Sequence, residues 1–196
     1  MAYLSLLNEP EFRYGGILRK KEPPLKKEHI YSFTSIHKTK YIVHVEEYSN
    51  DLFLLKFHLK KHQRNKDKYL VLTRENNCPK GILSGVLSIA LDVLRKNEMA
   101  SFGFIGSPTV KELFNEDYLK NTKRFKIYSM LAITFFDPNH FIHHKDVNHS
   151  SYLLINKKKK AELPNLLNEI LIEFDTYFDL SMLFAELRND LLKSKK

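Results

Sequence analysis

The run NTKRFKIYSMLAITFF, Asn121 to Phe136, holds the side chain best suited to move a proton, Tyr128. A phenol with an unperturbed pKa of about 10 stays protonated at neutral pH and can donate without special tuning. The run reads as a helix. Asn121 is suited to cap it, because its side-chain oxygen can accept from a backbone N–H two or three residues on. Phe125, Tyr128, Ala132 and Phe135 recur at spacings of three and four and so share a face. Periodicity alone leaves Tyr128 with two readings, a core aromatic with its hydroxyl at the edge or a proton donor.

A second candidate is the loop RENNCPKGILSG, Arg74 to Gly85. A strand that feeds a helix through Lys80 and Gly81 offers free backbone N–H groups, a partial positive charge and a cation, which together suit a phosphate. Neither the Walker spacing nor the dinucleotide glycine fingerprint is present, so an ordinary loop and cap fits the same residues. A third is the histidine group His140, His143, His144 and His149 with Asp146. On a strand, His143 and His144 point to opposite faces and cannot both join one tetrahedral site, so we expect polar edge residues and no metal. Lys157 to Lys160 reads as a solvated strand end. With Lys20, Lys21, Lys26 and Lys27 it could also form part of a nucleic-acid footprint.

The elements that must carry these groups follow from pattern. Residues 1–28 read as irregular, broken by Gly15-Gly16 and Pro23-Pro24, with a short strand IYSFTS after them. YIVHVEEY, DLFLLKFHLKKH and KYLVLTRE then form three strand-like runs with short connections, a meander. GILSGVLSIALDVLRKNE has helical spacing from Ile82 to Leu94. SFGFIGSP is a strand whose Gly103 and Gly106 suggest close backbone approach. TVKELFNEDYLK reads as a helical connection, and the Tyr128 helix ends at Asp137-Pro138. Two strands follow around a turn at Asp146 to His149. From Asn165 the apolar residues keep a helical stripe to the end, about 45 Å if unbroken, and a break near Asp179 to Ser181 or a second copy of the chain would cover it.

At 196 residues the chain suits one domain with a helical appendage. Hydrophobic residues at 43% and aromatics at 12% exclude disorder. The formal net charge of +9 attracts phosphates without choosing among nucleic acid, an anionic surface and a phosphorylated cofactor. The single cysteine, Cys78, excludes an internal disulfide and a multi-cysteine zinc site. No apolar run approaches the roughly 20 residues of a membrane span, and the N-terminus lacks a signal-peptide pattern. We therefore expect a soluble cytoplasmic protein.

The element order, a three-strand meander, helix, strand, helix and closing strand pair, resembles the central and C-terminal parts of the GNAT N-acetyltransferase superfamily. Asn121-Thr122-Lys123-Arg124-Phe125-Lys126-Ile127-Tyr128 reproduces that family's Asn-to-Tyr spacing, and SSYLLINK resembles its last strand. The resemblance covers about residues 41 to 157 and is divergent, without the usual acetyl-CoA glycine loop. It implies an α/β (α+β) fold with a mixed, mostly antiparallel central sheet and flanking helices. The corresponding division is an irregular segment over 1–40, a GNAT-like domain over 41–160 and a helical segment over 161–196. It also implies acetyl-CoA wedged between splayed central strands, with Leu72, Arg74, Lys80, Gly81, Ile82 and Asn121 around it. An amine attacks the thioester carbonyl, a backbone N–H near Leu72 to Arg74 polarises the oxygen, and Tyr128 protonates the departing thiolate. Glu75, Glu46 and Glu47 are the candidates for the base, with Glu75 first.

Two functions from different classes remain. One is an acyltransferase acting on an amine, whose acceptor is more plausibly linked to RNA or another polyanion than to a cationic tail, since like charges repel. The other is a non-enzymatic basic module that contacts nucleic acid or a protein partner.

Overall fold

The computed structural model describes residues 11–18, 25–35, 37–71, 80–109, 111–159 and residue 169, with residue 80 described in its backbone alone. The elements are β1 (Phe12–Leu18), β2 (Lys27–Thr34), β3 (Lys40–Glu47), β4 (Leu52–Leu59), α1 (Lys80–Lys96), β5 (Ser101–Ile105), α2 (Lys123–Phe135), β6 (Phe141–Asp146) and β7 (Ser151–Asn156). This is an α+β fold. Its seven-stranded mixed sheet has the order β1-β2-β3-β4-β5-β7-β6. The chain divides into two compact units, Met1–Phe102 and Gly103–Lys196, with the boundary inside β5. The expected C-terminal helix lies outside the described residues.

In the first unit β1 to β4 form an antiparallel meander. Strand alternation gives it two unlike faces. Tyr31 and Phe33 of β2 and Tyr41, Val43 and Val45 of β3 are buried on one face, with Phe33 stacked on Tyr41 at 5.1 Å. Helix α1 lies on that face, so close at Gly85 that a Cβ there would stand 2.7 Å from the Phe33 ring. Ile82, Ile89 and Val93 of α1 are buried. Its buried hydroxyls are satisfied along the helix, Ser84 donating to the Gly81 carbonyl and Ser88 to that of Ser84. The other face carries Glu28, His44, Glu46, Lys56 and His58.

Two expectations change here. Gly15-Gly16 does not end an element: it sits inside β1, where the register slips between Tyr14 and Gly16 in a β-bulge, and Gly16 takes the φ of 110° that such a bulge allows. Residues 12–18 and 27–28 are therefore strand rather than irregular chain. Lys68 to Val71, the described part of KYLVLTRE, are not strand. Its described residues are turn up to Leu70, whose N–H donates to the Asp67 carbonyl. The neighbours of β4 are β3 and β5, so no edge of β4 is left for it, and IYSFTS, within β2, completes the meander instead.

In the second unit β6 and β7 form the expected hairpin, and all six residues of β7 are buried. The Asp146 carboxylate closes its turn by accepting from the N–H groups of Asn148 and His149. The connection TVKELFNEDYLK holds only a short 3-10 turn at Glu112–Phe114 where a helix was expected. Gly106 meets α2 at its first turn, and a Cβ there would lie 2.5 Å from the Phe125 backbone nitrogen.

Candidate functional site

Helix α2 starts one residue later than Asn121 requires for a cap. Thr122 is the N-cap: its Oγ1 accepts from the Phe125 N–H at 3.2 Å and donates to the Gly106 carbonyl. Asn121 is exposed in a left-handed conformation, φ 51°, and its N–H donates to the Val147 carbonyl. The buried face of α2 is Phe125, Ser129 and Ala132. Tyr128 stands beside that face, half-buried, edge-on to Phe104 at 5.5 Å, and Phe104 stacks on Tyr152 at 5.0 Å. Burial raises the Tyr128 pKa, with the Arg124 guanidinium opposing, so the phenol holds its proton more firmly than a free tyrosine.

Leu72, Arg74 and Glu75 lie outside the described residues. Lys80 opens α1. Gly81 is half-buried there, and Ile82 is a core residue at the same end. The first turn of α1 contains no acidic side chain. Tyr128 and Asn121 belong to the second unit and Lys80 to Ile82 to the first.

Two of the expected base candidates have other partners. Glu46 is buried, ion-paired with Lys56 at 2.6 Å and hydrogen-bonded by the Tyr48 hydroxyl at 2.9 Å. Glu47 points to the opposite sheet face, where its carboxylate meets His29 Nε2 at 3.2 Å. The histidines of β6 are His143, opposite Leu154, and His144, opposite Leu153, and His149 lies in the turn that follows. His143 bridges the Tyr152 hydroxyl at 2.8 Å and the Phe136 carbonyl at 2.9 Å, and His149 pairs with Asp146. Among the described residues no group of three or more His, Cys, Asp or Glu side chains converges as a metal site. Lys157 to Lys159 is not simply solvated: Lys159 is buried, and the Lys157 ammonium donates to the Pro138 carbonyl.

The sequence reading missed two constellations of the first unit. On the polar face Glu28 Oε1 lies 2.8 Å from His44 Nδ1, and His44 Nε2 lies 3.2 Å from His58 Nε2. His58 Nδ1 in turn meets the Leu59 carbonyl at 2.9 Å. The Tyr69 ring stands edge-on to both imidazoles. Burial lowers the pKa of His44, against the pull of Glu28, and also that of His58, against the Leu59 carbonyl. Burial and Glu46 together hold the Tyr48 and Tyr69 phenols protonated.

On the α1 face the Tyr14 hydroxyl lies 3.1 Å from His29 Nδ1, whose ring is held by Glu47. Beside it Tyr31 donates to Asp92 at 3.1 Å, and Lys96 pairs with Asp92 at 2.6 Å. Both constellations join residues from strands distant in sequence. The available signal was period-two spacing, His44 with Glu46 and His29 with Tyr31.

The fold defines an α+β protein, and no described helix is long and apolar enough to cross a membrane. No protein-family model, curated protein or solved structure matches the chain.

Proposed function

We propose that the protein is a divergent GNAT-type acyltransferase that moves an acetyl or other acyl group from acyl-CoA to an amine. The observation that carries this reading is the succession β2-β3-β4-α1-β5-α2-β6-β7, with Tyr128 on the second helix. It runs meander, helix, strand, helix and closing strand pair, although β2 rather than KYLVLTRE supplies one of the meander strands. The cofactor, when bound, supplies the thioester. The acid-free start of α1 would receive its pyrophosphate, with Lys80 and Gly81 at that turn. Tyr128 is the proton donor for the leaving thiolate, a role favoured by a phenol that burial keeps protonated. Glu46 pairs with Lys56 and Tyr48 and Glu47 with His29, and in this reading Glu75 is taken as the base.

A ligand that binds only the native state raises the melting temperature by mass action. Acetyl-CoA at millimolar concentration should therefore shift the melt, and no shift would sink the enzyme reading. The net charge of +9 supports the alternative, a basic module without a cofactor. That reading requires heparin or RNA retention that falls steeply with salt and no response to acetyl-CoA.

A further inference from the structure

Tyr14 is the last residue of β1 in register before the bulge; it pairs with Tyr31, and its ring lies beside Lys96 in the last turn of α1. Tyr14 is 47% exposed, whereas the side chains of His29 and Glu47 are each only 20% exposed. One arrangement of protons satisfies both hydrogen bonds. A carboxylate only accepts, so His29 Nε2 carries the hydrogen that Glu47 receives. A neutral ring then has its lone pair on Nδ1, and the Tyr14 hydroxyl donates to it. The order is a solvent-facing hydroxyl, a base in hydrogen-bond reach and a carboxylate that fixes the base's tautomer, the signature of an activated nucleophile. Lys96 Nζ lies 5.0 Å from the Tyr14 ring centroid, and Lys27 Nζ lies 3.9 Å from the Glu47 carboxylate.

We propose that Tyr14, His29 and Glu47 form a nucleophilic site that accepts an acyl group from an activated carboxylic ester. As Tyr14 Oη bonds to the ester carbonyl carbon, its proton passes to His29 Nδ1. The carbonyl–oxygen bond to the leaving group then breaks, and His29 returns the proton to the departing oxygen. The products are an O-acyl tyrosine and the free alcohol. Attack by water, deprotonated by the same nitrogen, releases the carboxylic acid and restores the tyrosine. Glu47 holds the ring and stabilises the imidazolium formed in each half. This site stands apart from the acyl-CoA reading, because the last turn of α1 is about 24 Å along the helix from its first.

The test uses the full chain and two probes, p-nitrophenyl acetate and an aryl sulfonyl fluoride, with the modified residue located by mass spectrometry. Tyr14 should be labelled at least about 10-fold faster than the half-exposed Tyr118, a modest share of what a positioned base contributes. His29→Gln and Glu47→Gln should each slow Tyr14 labelling toward the Tyr118 rate while leaving Tyr118 labelling unchanged, and Tyr14→Phe should remove it. A thermal melt followed by circular dichroism reports whether each variant has kept its fold. Labelling of Tyr14 at the Tyr118 rate in the unmodified protein would overturn the proposal, as would undiminished Tyr14 labelling in folded His29→Gln.

Discussion

Glu28, His44 and His58 form a hydrogen-bonded chain on the polar face of the meander, with His44 Nδ1 2.8 Å from Glu28 Oε1 and His44 Nε2 3.2 Å from His58 Nε2. The Leu59 carbonyl can only accept, so His58 Nδ1 carries a hydrogen. Burial depresses both imidazole pKa values in the folded state. As the pH falls through the ordinary histidine range near 6.5, the unfolded chain takes up protons before the folded one does. Stability should thus be complete above that range and decline as the pH drops below it, toward the folded pKa values. Urea denaturation at intervals from pH 8 to pH 5 checks this, and His58→Leu should flatten the decline. A stability that rises on acidification would contradict it. Lys56, Glu46, Lys68, Tyr48 and Tyr69 surround these rings, and their charges set the starting field. The sequence shows His44 and Glu46 on one strand face, but which strand lies beside them depends on pairing between distant segments. That pairing is what brings in Glu28 and His58.

The two helices and the closing hairpin were legible in the sequence because their signals are local: 3.6-residue spacing, the stop at Asp137-Pro138 and the polar turn after Asp146. β1 was not, because a glycine pair reads as a breaker unless a bulge is known to take the positive φ. The third meander strand was misplaced because KYLVLTRE has the composition of a strand, whereas its residues Lys68 to Leu70 form a turn and β4 already lies between β3 and β5. The glycines at helix contacts carry their own consequences. Gly85→Ala would ordinarily strengthen a helix by up to about 1 kcal/mol. Here the added methyl meets a Phe33 ring pinned by Tyr41, and overpacking of that kind costs about 1–3 kcal/mol. The expected net is a destabilisation of about 1–2 kcal/mol by chemical denaturation, and a stabilised variant would refute the close approach. Thr122→Ala should cost about 1 kcal/mol through loss of the cap, together with the bond to Gly106, and Thr122→Ser should restore most of it. Equal stability of the alanine and serine variants would argue for an Asn121 cap after all.

At the scale of the whole molecule, the acyltransferase reading joins an element order to a single proton donor. The order of the elements was largely readable from sequence. The state of Tyr128 was not, because periodicity cannot tell a residue inside the apolar stripe from one beside it, and Phe125, Ser129 and Ala132 form the stripe instead. In this reading a phenol beside the stripe, held protonated by burial, would donate a proton without being needed to bind cofactor. Tyr128→Phe should therefore leave cofactor affinity within about twofold and slow thiol release by about 100-fold or more, the usual share of a general acid. The central claim is tested most directly by calorimetric titration of the full chain with acetyl-CoA. The account expects saturable one-to-one binding, alike for the wild type and Tyr128→Phe. No saturable heat up to millimolar acetyl-CoA would contradict it and leave the fold without the chemistry.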